Sequence, residues 1–366
     1  MTVAKKALFR VDASSVIGSG HLMRCLTLAK ALQRSDWSVA FACRAHPGNL
    51  IQWLRDQGFD VLELTAPAQA STKKTATGYA AWLGVTEQQD AAELKQLLQA
   101  PVDLLVIDHY ALSSVFEQAM TGFYRKVLVI DDLANRPHHC DYLLDQNLYP
   151  QLHSRYDSLV NKEATLLLGP SYVLLRPEFA TVQRTAKTDQ LRFLVFYGGT
   201  DELNLTSLTI LALQQLQKTD FHADIVIGLA NPHRIELEKR CAKDCRFRLH
   251  MNTPQMAELM SQATLMIGAG GSTHWERCAL ALPALVMTLA ENQLASTLCL
   301  ADAGACIYLG HGQDLTAVQL TQAVQQLLDN PEQLQLMSKQ AKQLVPQGGG
   351  CAAIVDLLNT EFQGRH

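Results

Sequence analysis

Four short runs limit what this chain can fold into: ALFRV at 7–11, VAFAC at 39–43, DLLVID at 103–108 and KVLVID at 126–131. They are apolar at nearly every position and lack the in–out alternation of a strand with one wet face. Such runs read as strands buried on both faces of a parallel sheet. Parallel neighbours need crossovers, and helical patterns lie between the runs, at about 20–34, 48–57, 87–99 and 113–121. Asp60–Thr65 and Tyr142–Asn147 are further strand candidates. The second half repeats the style, with runs at Leu191–Tyr197, Ala223–Ile227, Phe247–His250, Thr264–Ile267, Ala284–Leu289 and Cys306–Leu309. A polar stretch, Pro177–Gln190, separates the halves. The expectation is an α/β protein of two consecutive Rossmann-like domains with parallel sheets, 1–186 and 187–366. Facing each other, they would form a cleft at the carboxyl ends of their strands. The Ala/Thr-rich stretch Ala66–Val85 reads as an insertion, flexible or partly helical.

A chain of 366 residues has room for two cores. Its net charge of −4 provides no basic field for nucleic acid. No run approaches the ~18 apolar residues of a membrane span, and Arg10 and Asp12 break up the N-terminal apolar stretch before a signal core forms. The nine cysteines form no CxxC pair and several fall inside apolar runs, as expected of free thiols in a reducing cytoplasm.

The chemistry-bearing residues follow the strands. Gly18-Ser19-Gly20-His21 has the GxG of a phosphate loop, but Arg24 stands where the dinucleotide fingerprint needs its third glycine. The second strand ends in Cys43-Arg44 without an acidic residue, which argues against a nicotinamide cofactor, and no GK[ST] follows. His21 then falls in the first turn of a helix, whose positive end favours the neutral, proton-accepting imidazole of a general base. The plainer reading is a surface histidine in a turn. Asp12 ends the first strand and either orients His21 or a substrate hydroxyl, or is a solvated loop carboxylate. Asp108-His109-Tyr110 closes another strand, pointing at a cleft or capping the strand end. Asp131-Asp132 and His138-His139 are adjacent pairs without metal-ligand spacing, and the non-metal reading is preferred.

In the second half, Gly198-Gly199-Thr200-Asp201 follows a strand, and its exposed amides, backed by a helix start, can hold a diphosphate or form an ordinary turn. Gly268-Ala269-Gly270-Gly271-Ser272-Thr273-His274-Trp275-Glu276 is richer. Its glycines free amides for phosphate, Ser272 can cap, and Glu276 can accept both hydroxyls of a ribose or simply favour the helix dipole. Glu291-Asn292-Gln293 ends the next strand with polar groups.

Taken together, FRVDASSVIGSGHLMRCLTLAKAL, VIDHY, VIDDLANRPHHCDYLLDQN, LLRPEF, GGTDELN and ENQ resemble one family in order over most of 7–310. It is the UDP-sugar hydrolases of pseudaminic acid biosynthesis, which act on UDP-2,4-diacetamido-2,4,6-trideoxy-β-L-altropyranose. Ala66–Val85 and the tail after about 310 lie outside the resemblance. The tail either packs on the first domain or forms an extra element.

The resemblance implies a GT-B-like fold, similar to the N-acetylglucosaminyltransferase of peptidoglycan precursor synthesis. It implies His21 as the catalytic residue and Tyr110, Arg176 and Asn292 as substrate-binding residues; Asp12 and Gly20, read from the strand end and loop themselves, join them as substrate-binding candidates. Gly198, Gly199, Gly270, Gly271, Ser272 and Glu276 answer to the nucleotide site. The loop at 268–272 is glycine-richer than the serine-rich loop of some relatives. The implied reaction is water attack at the anomeric carbon with UDP leaving and inversion there, without a cofactor and in principle without metal. The expected partners are the UDP-sugar and UDP, with no nucleic acid and no membrane. The alternatives are a hydrolase or glycosyltransferase acting on another UDP-linked amino sugar, and a non-catalytic nucleotide-sugar-binding protein.

Overall fold

A computed structural model describes residues 4–67, 78–185 and 190–363. Contacts divide the chain into two compact units. The first comprises Met1–Asn147, Gln151–Arg176 and Gly350–His366; the second comprises Leu148–Pro150 and Pro177–Gly349. This division differs from a split at 186/187: the chain leaves the first unit at Arg176 and returns to it for its last residues.

The first unit contains strands β1 (Lys6–Val11), β2 (Ser38–Arg44), β3 (Asp60–Leu64), β4 (Val102–Asp108), β5 (Tyr124–Ile130), β6 (Tyr142–Asp145) and β7 (Thr165–Leu168). Between them lie helices α1 (Gly20–Gln33), α2 (Ile51–Asp56), α3 (Glu87–Leu97) and α4 (Ser114–Ala119). The sheet runs β3-β2-β1-β4-β5-β6-β7 and every pairing is parallel. Both faces are covered, which explains the unalternating sequence. Ala7, Phe9 and Val11 of β1 enter one core with α1, while Leu8 enters the opposite core with Leu94 and Phe116. β4 divides likewise, Leu104 and Val106 against Leu105 and Ile107.

In the second unit the elements are α5 (Glu178–Thr181), β8 (Leu191–Phe196), α6 (Leu205–Gln214), β9 (Phe221–Ile227), α7 (Arg234–Cys241), β10 (Phe247–Met251), α8 (Met256–Gln262), β11 (Leu265–Ala269), α9 (Thr273–Ala279), β12 (Ala284–Thr288), α10 (Leu294–Asp302), β13 (Ile307–His311), α11 (Ala317–Leu328) and α12 (Pro331–Leu344). The sheet order is β10-β9-β8-β11-β12-β13, again parallel. In each sheet the order reverses beside the first strand, between β1 and β4 and between β8 and β11. Ligands of doubly wound sheets bind outside the carboxyl ends of the strands at such switch points.

The last helix, α13 (Cys351–Gln363), completes the first unit. Ile354 and Leu358 are fully buried in the α1-side core, and burying a side chain of that size stabilises by about 1.5–3 kcal/mol. Trp37 Nε1 donates to Asn359 Oδ1 at 2.8 Å. At the start of α13, Gly350 N donates to Val173 O at 2.7 Å, and a Cβ on Gly350 would overlap the Tyr172 backbone.

Candidate active site

The loop from β1 to α1 is shaped by Ser14 and Gly18. Ser14 Oγ accepts from Val16 N and Ile17 N at 3.2 and 2.9 Å, and Gly18 takes a φ of +78° that favours glycine. Gly20 opens α1, and a Cβ there would meet nothing within 4 Å. His21 follows in the first turn, as expected. Leu22, Cys25, Leu26 and Ala29 bury one side of α1, and His21 and Arg24, three apart, share a neighbouring face.

That face meets the end of β4. Strand register pairs Val11 with Asp108, so the α1 loop and Asp108 stand side by side at the switch point. Asp108 is fully buried. Its Oδ1 lies 2.6 Å from His21 Nδ1 and accepts from Arg24 Nη2 at 2.7 Å; its Oδ2 accepts from Arg24 Nε at 2.6 Å. Burial alone would raise its pKa, but the Arg24 charge and the hydrogen bonds from Arg24 and His21 override it and hold the carboxyl far below the usual range. An ionised carboxylate can only accept, so His21 Nδ1 carries the proton and Nε2 is the basic nitrogen.

Arg24 also reaches a second carboxylate, donating from Nη1 to Asp132 Oδ2 at 3.0 Å. The Tyr110 hydroxyl donates to Asp132 Oδ1 at 2.6 Å, and its ring meets the His21 ring edge-on at a centroid distance of 4.4 Å. Burial, with the Asp132 charge, keeps the Tyr110 hydroxyl protonated. His21, Asp108, Arg24, Asp132 and Tyr110 therefore form one network. The sequence pointed to His21 and Tyr110; Arg24 registered only as a missing glycine, although its i, i+3 spacing from His21 was a usable signal.

Asp12 is placed elsewhere. It is fully buried, accepting from Arg10 at 2.6 and 3.0 Å and from Arg44 N at 2.7 Å, with His109 Nε2 3.3 Å away. Arg10 and Arg44 both continue to Asp90 of α3, at 2.8 and 2.5 Å. Asp12 thus belongs to an ion cluster tying β1, β2 and α3 together, and no bond joins it to His21 among the described residues. Asp131 is engaged by Arg136 at 2.7 Å, and His138 Nδ1 lies 2.6 Å from Glu117 Oε1. Among the described residues no group of three or more His, Cys, Asp or Glu is arranged to hold a metal ion. Arg176, half-buried, is the last residue before the chain enters the second unit.

In the second unit the glycine loops follow the adjacent strands β8 and β11. Gly198 has a φ of +91°, and a Cβ on Gly198 or Gly199 would meet nothing within 4 Å, so the backbone there is open to close approach. The start of α6 does not back this loop as an anion site, because buried Asp201 already accepts from Leu205 N and Thr206 N at 3.0 and 2.9 Å. At the other loop, a Cβ on Gly270 would lie 2.7 Å from Thr297 Oγ1 and 3.3 Å from His274 Nε2. Gly271 has a φ of +121°. Ser272 precedes α9 exposed, and its side chain makes no capping bond, contrary to expectation. Glu276 is half-buried in the first turn of α9. Burial and Arg277 keep His274 neutral. Arg277 Nη2 lies 3.2 Å from His274 Nδ1, which leaves His274 Nε2–H to donate to Thr297 Oγ1 at 3.1 Å. Asn292 sits exposed in the short turn after β12, beside Gln293, whose Oε1 accepts from Leu289 N at 2.9 Å.

Two Rossmann-like units, each built on a parallel sheet with glycine-bearing loops after its switch-point strands, define a GT-B-like fold. The solved structure of Acinetobacter baumannii MurG matches with a TM-score of 0.68 at 17% identity, covering 98% of this chain and 100% of that one. Residues 193–348 match the glycosyltransferase family 28 C-terminal domain. The UDP-2,4-diacetamido-2,4,6-trideoxy-β-L-altropyranose hydrolase of Campylobacter jejuni is 32% identical over 303 residues, 82% of this chain and 97% of that protein. The spore coat polysaccharide biosynthesis protein SpsG of Bacillus subtilis is 28% identical over 230 residues, 62% of this chain and 67% of its own. The chain belongs to the UDP-2,4-diacetamido-2,4,6-trideoxy-β-L-altropyranose hydrolase family.

Proposed function

We propose that this protein hydrolyses UDP-2,4-diacetamido-2,4,6-trideoxy-β-L-altropyranose, releasing UDP, as a step of pseudaminic acid biosynthesis in the cytoplasm. The observation that carries the reading is the His21–Asp108 pair, in which an ionised carboxylate holds the Nδ1 proton and leaves Nε2 basic. His21 Nε2 takes a proton from water as the water attacks the anomeric carbon. The C–O bond to the diphosphate breaks, and UDP leaves from the opposite face, with inversion. Asp108 orients the imidazole and stabilises the imidazolium that forms. Tyr110, Gly20, Arg176 and Asn292 are assigned to the sugar side, while Asp12, enclosed in its ion cluster, is left out of it. Gly198, Gly199, Gly270, Gly271, Ser272 and Glu276 are assigned to the nucleotide, the glycine amides stabilising the charge on the departing diphosphate. No metal is assigned a step.

The test is UDP release from the purified protein with the altro-configured substrate, beside a panel of other UDP-linked amino sugars. Proton NMR of the first-formed sugar reads the anomeric configuration, and a chelator tests the metal. Release from the altro sugar in preference to the panel, inverted and chelator-resistant, with loss of at least ~100-fold in His21→Ala, supports the reading. Faster release from another nucleotide sugar, or transfer to an acceptor, would replace it.

A further inference from the structure

Two aromatic residues beside His21 have no place in this mechanism. Tyr79 and Trp82 lie in the short turn Gly78–Trp82, within the stretch outside the motifs that carry the family resemblance. The Trp82 ring is 6.2 Å from the His21 ring and stacks at 24° on Tyr110, 5.6 Å away. Tyr79 packs edge-on against both, at 4.8 Å from Trp82 and 4.9 Å from Tyr110. Both residues are half-buried, so ring surface is open beside the proposed base.

The chain behind them is pinned. Leu83 is buried in the core on the α3 and α4 side. Gly84 has a φ of +73°, and a Cβ there would sit 2.6 Å from Pro67 Cβ. Thr86 then closes a capping box at the start of α3. A side chain fixed so firmly, yet left partly open next to a reactive group, has the form of a ligand wall.

The substrate of the proposed reaction suits such a wall. A 2,4-diacetamido-2,4,6-trideoxy sugar keeps one free ring hydroxyl, at C3, and presents three methyl groups. Its hydroxyl and two amides can be read by hydrogen bonds, but the three methyl groups can be read only by apolar contact. We propose that Trp82 and Tyr79 form an aromatic wall that binds the methyl-bearing face of the sugar, making Trp82 a specificity-determining residue. The proposal rests on the hydrolase reading for its ligand.

The experiment titrates intact sugar nucleotide and UDP separately into His21→Ala protein, with and without Trp82→Ala, by calorimetry. Kinetics of Trp82→Ala and Trp82→Phe in otherwise native protein run alongside. Trp82→Ala is expected to weaken the intact nucleotide sugar about 10–50-fold and leave UDP within about twofold. KM should rise in the same proportion, the pH profile should stay in place, and Trp82→Phe should recover most of the loss. Equal losses for UDP and the nucleotide sugar, no loss, or a fall in kcat at constant KM would overturn the wall. If the native protein releases no UDP, the hydrolase reading fails on its own, and the titration still decides whether Trp82 contacts the sugar.

Discussion

His21 Nδ1 and Asp108 Oδ1 lie 2.6 Å apart although 87 positions separate them in the chain. The contact follows from sheet order: β1 and β4 are neighbours, and each carries one partner at or just beyond its carboxyl end.

Asp108→Asn is expected to keep the fold and lower kcat by roughly a thousandfold with little change in KM, since the amide no longer enforces the Nδ1–H tautomer. Steady-state kinetics check this. A kcat within threefold of native would remove Asp108 from the mechanism.

Arg24 is shared by Asp108 and Asp132, so Arg24→Met should take the neutralising guanidinium from both carboxylates at once. Without that charge, burial pushes the Asp108 pKa upward and weakens the carboxylate's hold on His21 Nδ1–H. The acidic limb of the kcat/KM profile should therefore shift, and Arg24→Lys should restore only part of it, because lysine lacks the bidentate fork. An unmoved profile would show that Arg24 serves only the fold.

Asp145 should make stability fall between mildly acid and neutral pH. Burial, then the Asp132 charge, pushes its carboxyl up to about 7. In the unfolded chain it titrates near 4, so from about pH 4 to 7 the folded protein binds a proton that the unfolded chain lacks. Stability from this group is full below that window and lost as pH rises through it. Asp145→Asn should flatten the fall, raising Tm near pH 8 relative to pH 5 by several degrees, at about 2–4 °C per kcal/mol. Calorimetric melts at the two pH values decide it; parallel slopes for both proteins would refute it.

Gly270→Ala should push Thr297 or the loop aside, costing about 1–3 kcal/mol and weakening UDP binding. Adding Thr297→Ala makes room and should recover part of both losses. A double-mutant cycle on UDP affinity measures this coupling, and strict additivity would count against the contact.

Asp90→Ala should cost about 3–5 kcal/mol in chemical denaturation, because it leaves Arg10 and Arg44 buried without their shared carboxylate. Activity per folded molecule should fall far less than in His21→Ala. A comparable loss would draw the ion cluster into catalysis.

The strands were legible because two-sided burial writes itself locally as short apolar runs. β7 escaped: TLLL is four residues long and lies amid loop sequence. The glycine loops were also legible, since punctuation after a strand is a local signal. The network around His21 was not, because Asp108, Asp132 and Tyr110 reach it only through the pairing of strands. Asp12 looked like a site residue for its place at a strand end, and nothing nearby announced that Arg10 and Arg44 would enclose it. Of Ala66–Val85, residues 68–77 lie outside the described residues; the remainder contributes the turn bearing Tyr79 and Trp82. The periodicity of 351–362 announced a helix without naming its partner.

That helix has a consequence for the order of events during synthesis. The first unit's strands are made before the second unit, but its α1-side core lacks Ile354, Val355 and Leu358 until the second unit has been translated. The second unit needs no such wait, since its segments are all made before Gly350. The unit whose strands are translated first is therefore completed after the other, and loss of Ile354, Val355 and Leu358 would be felt beneath His21's own helix.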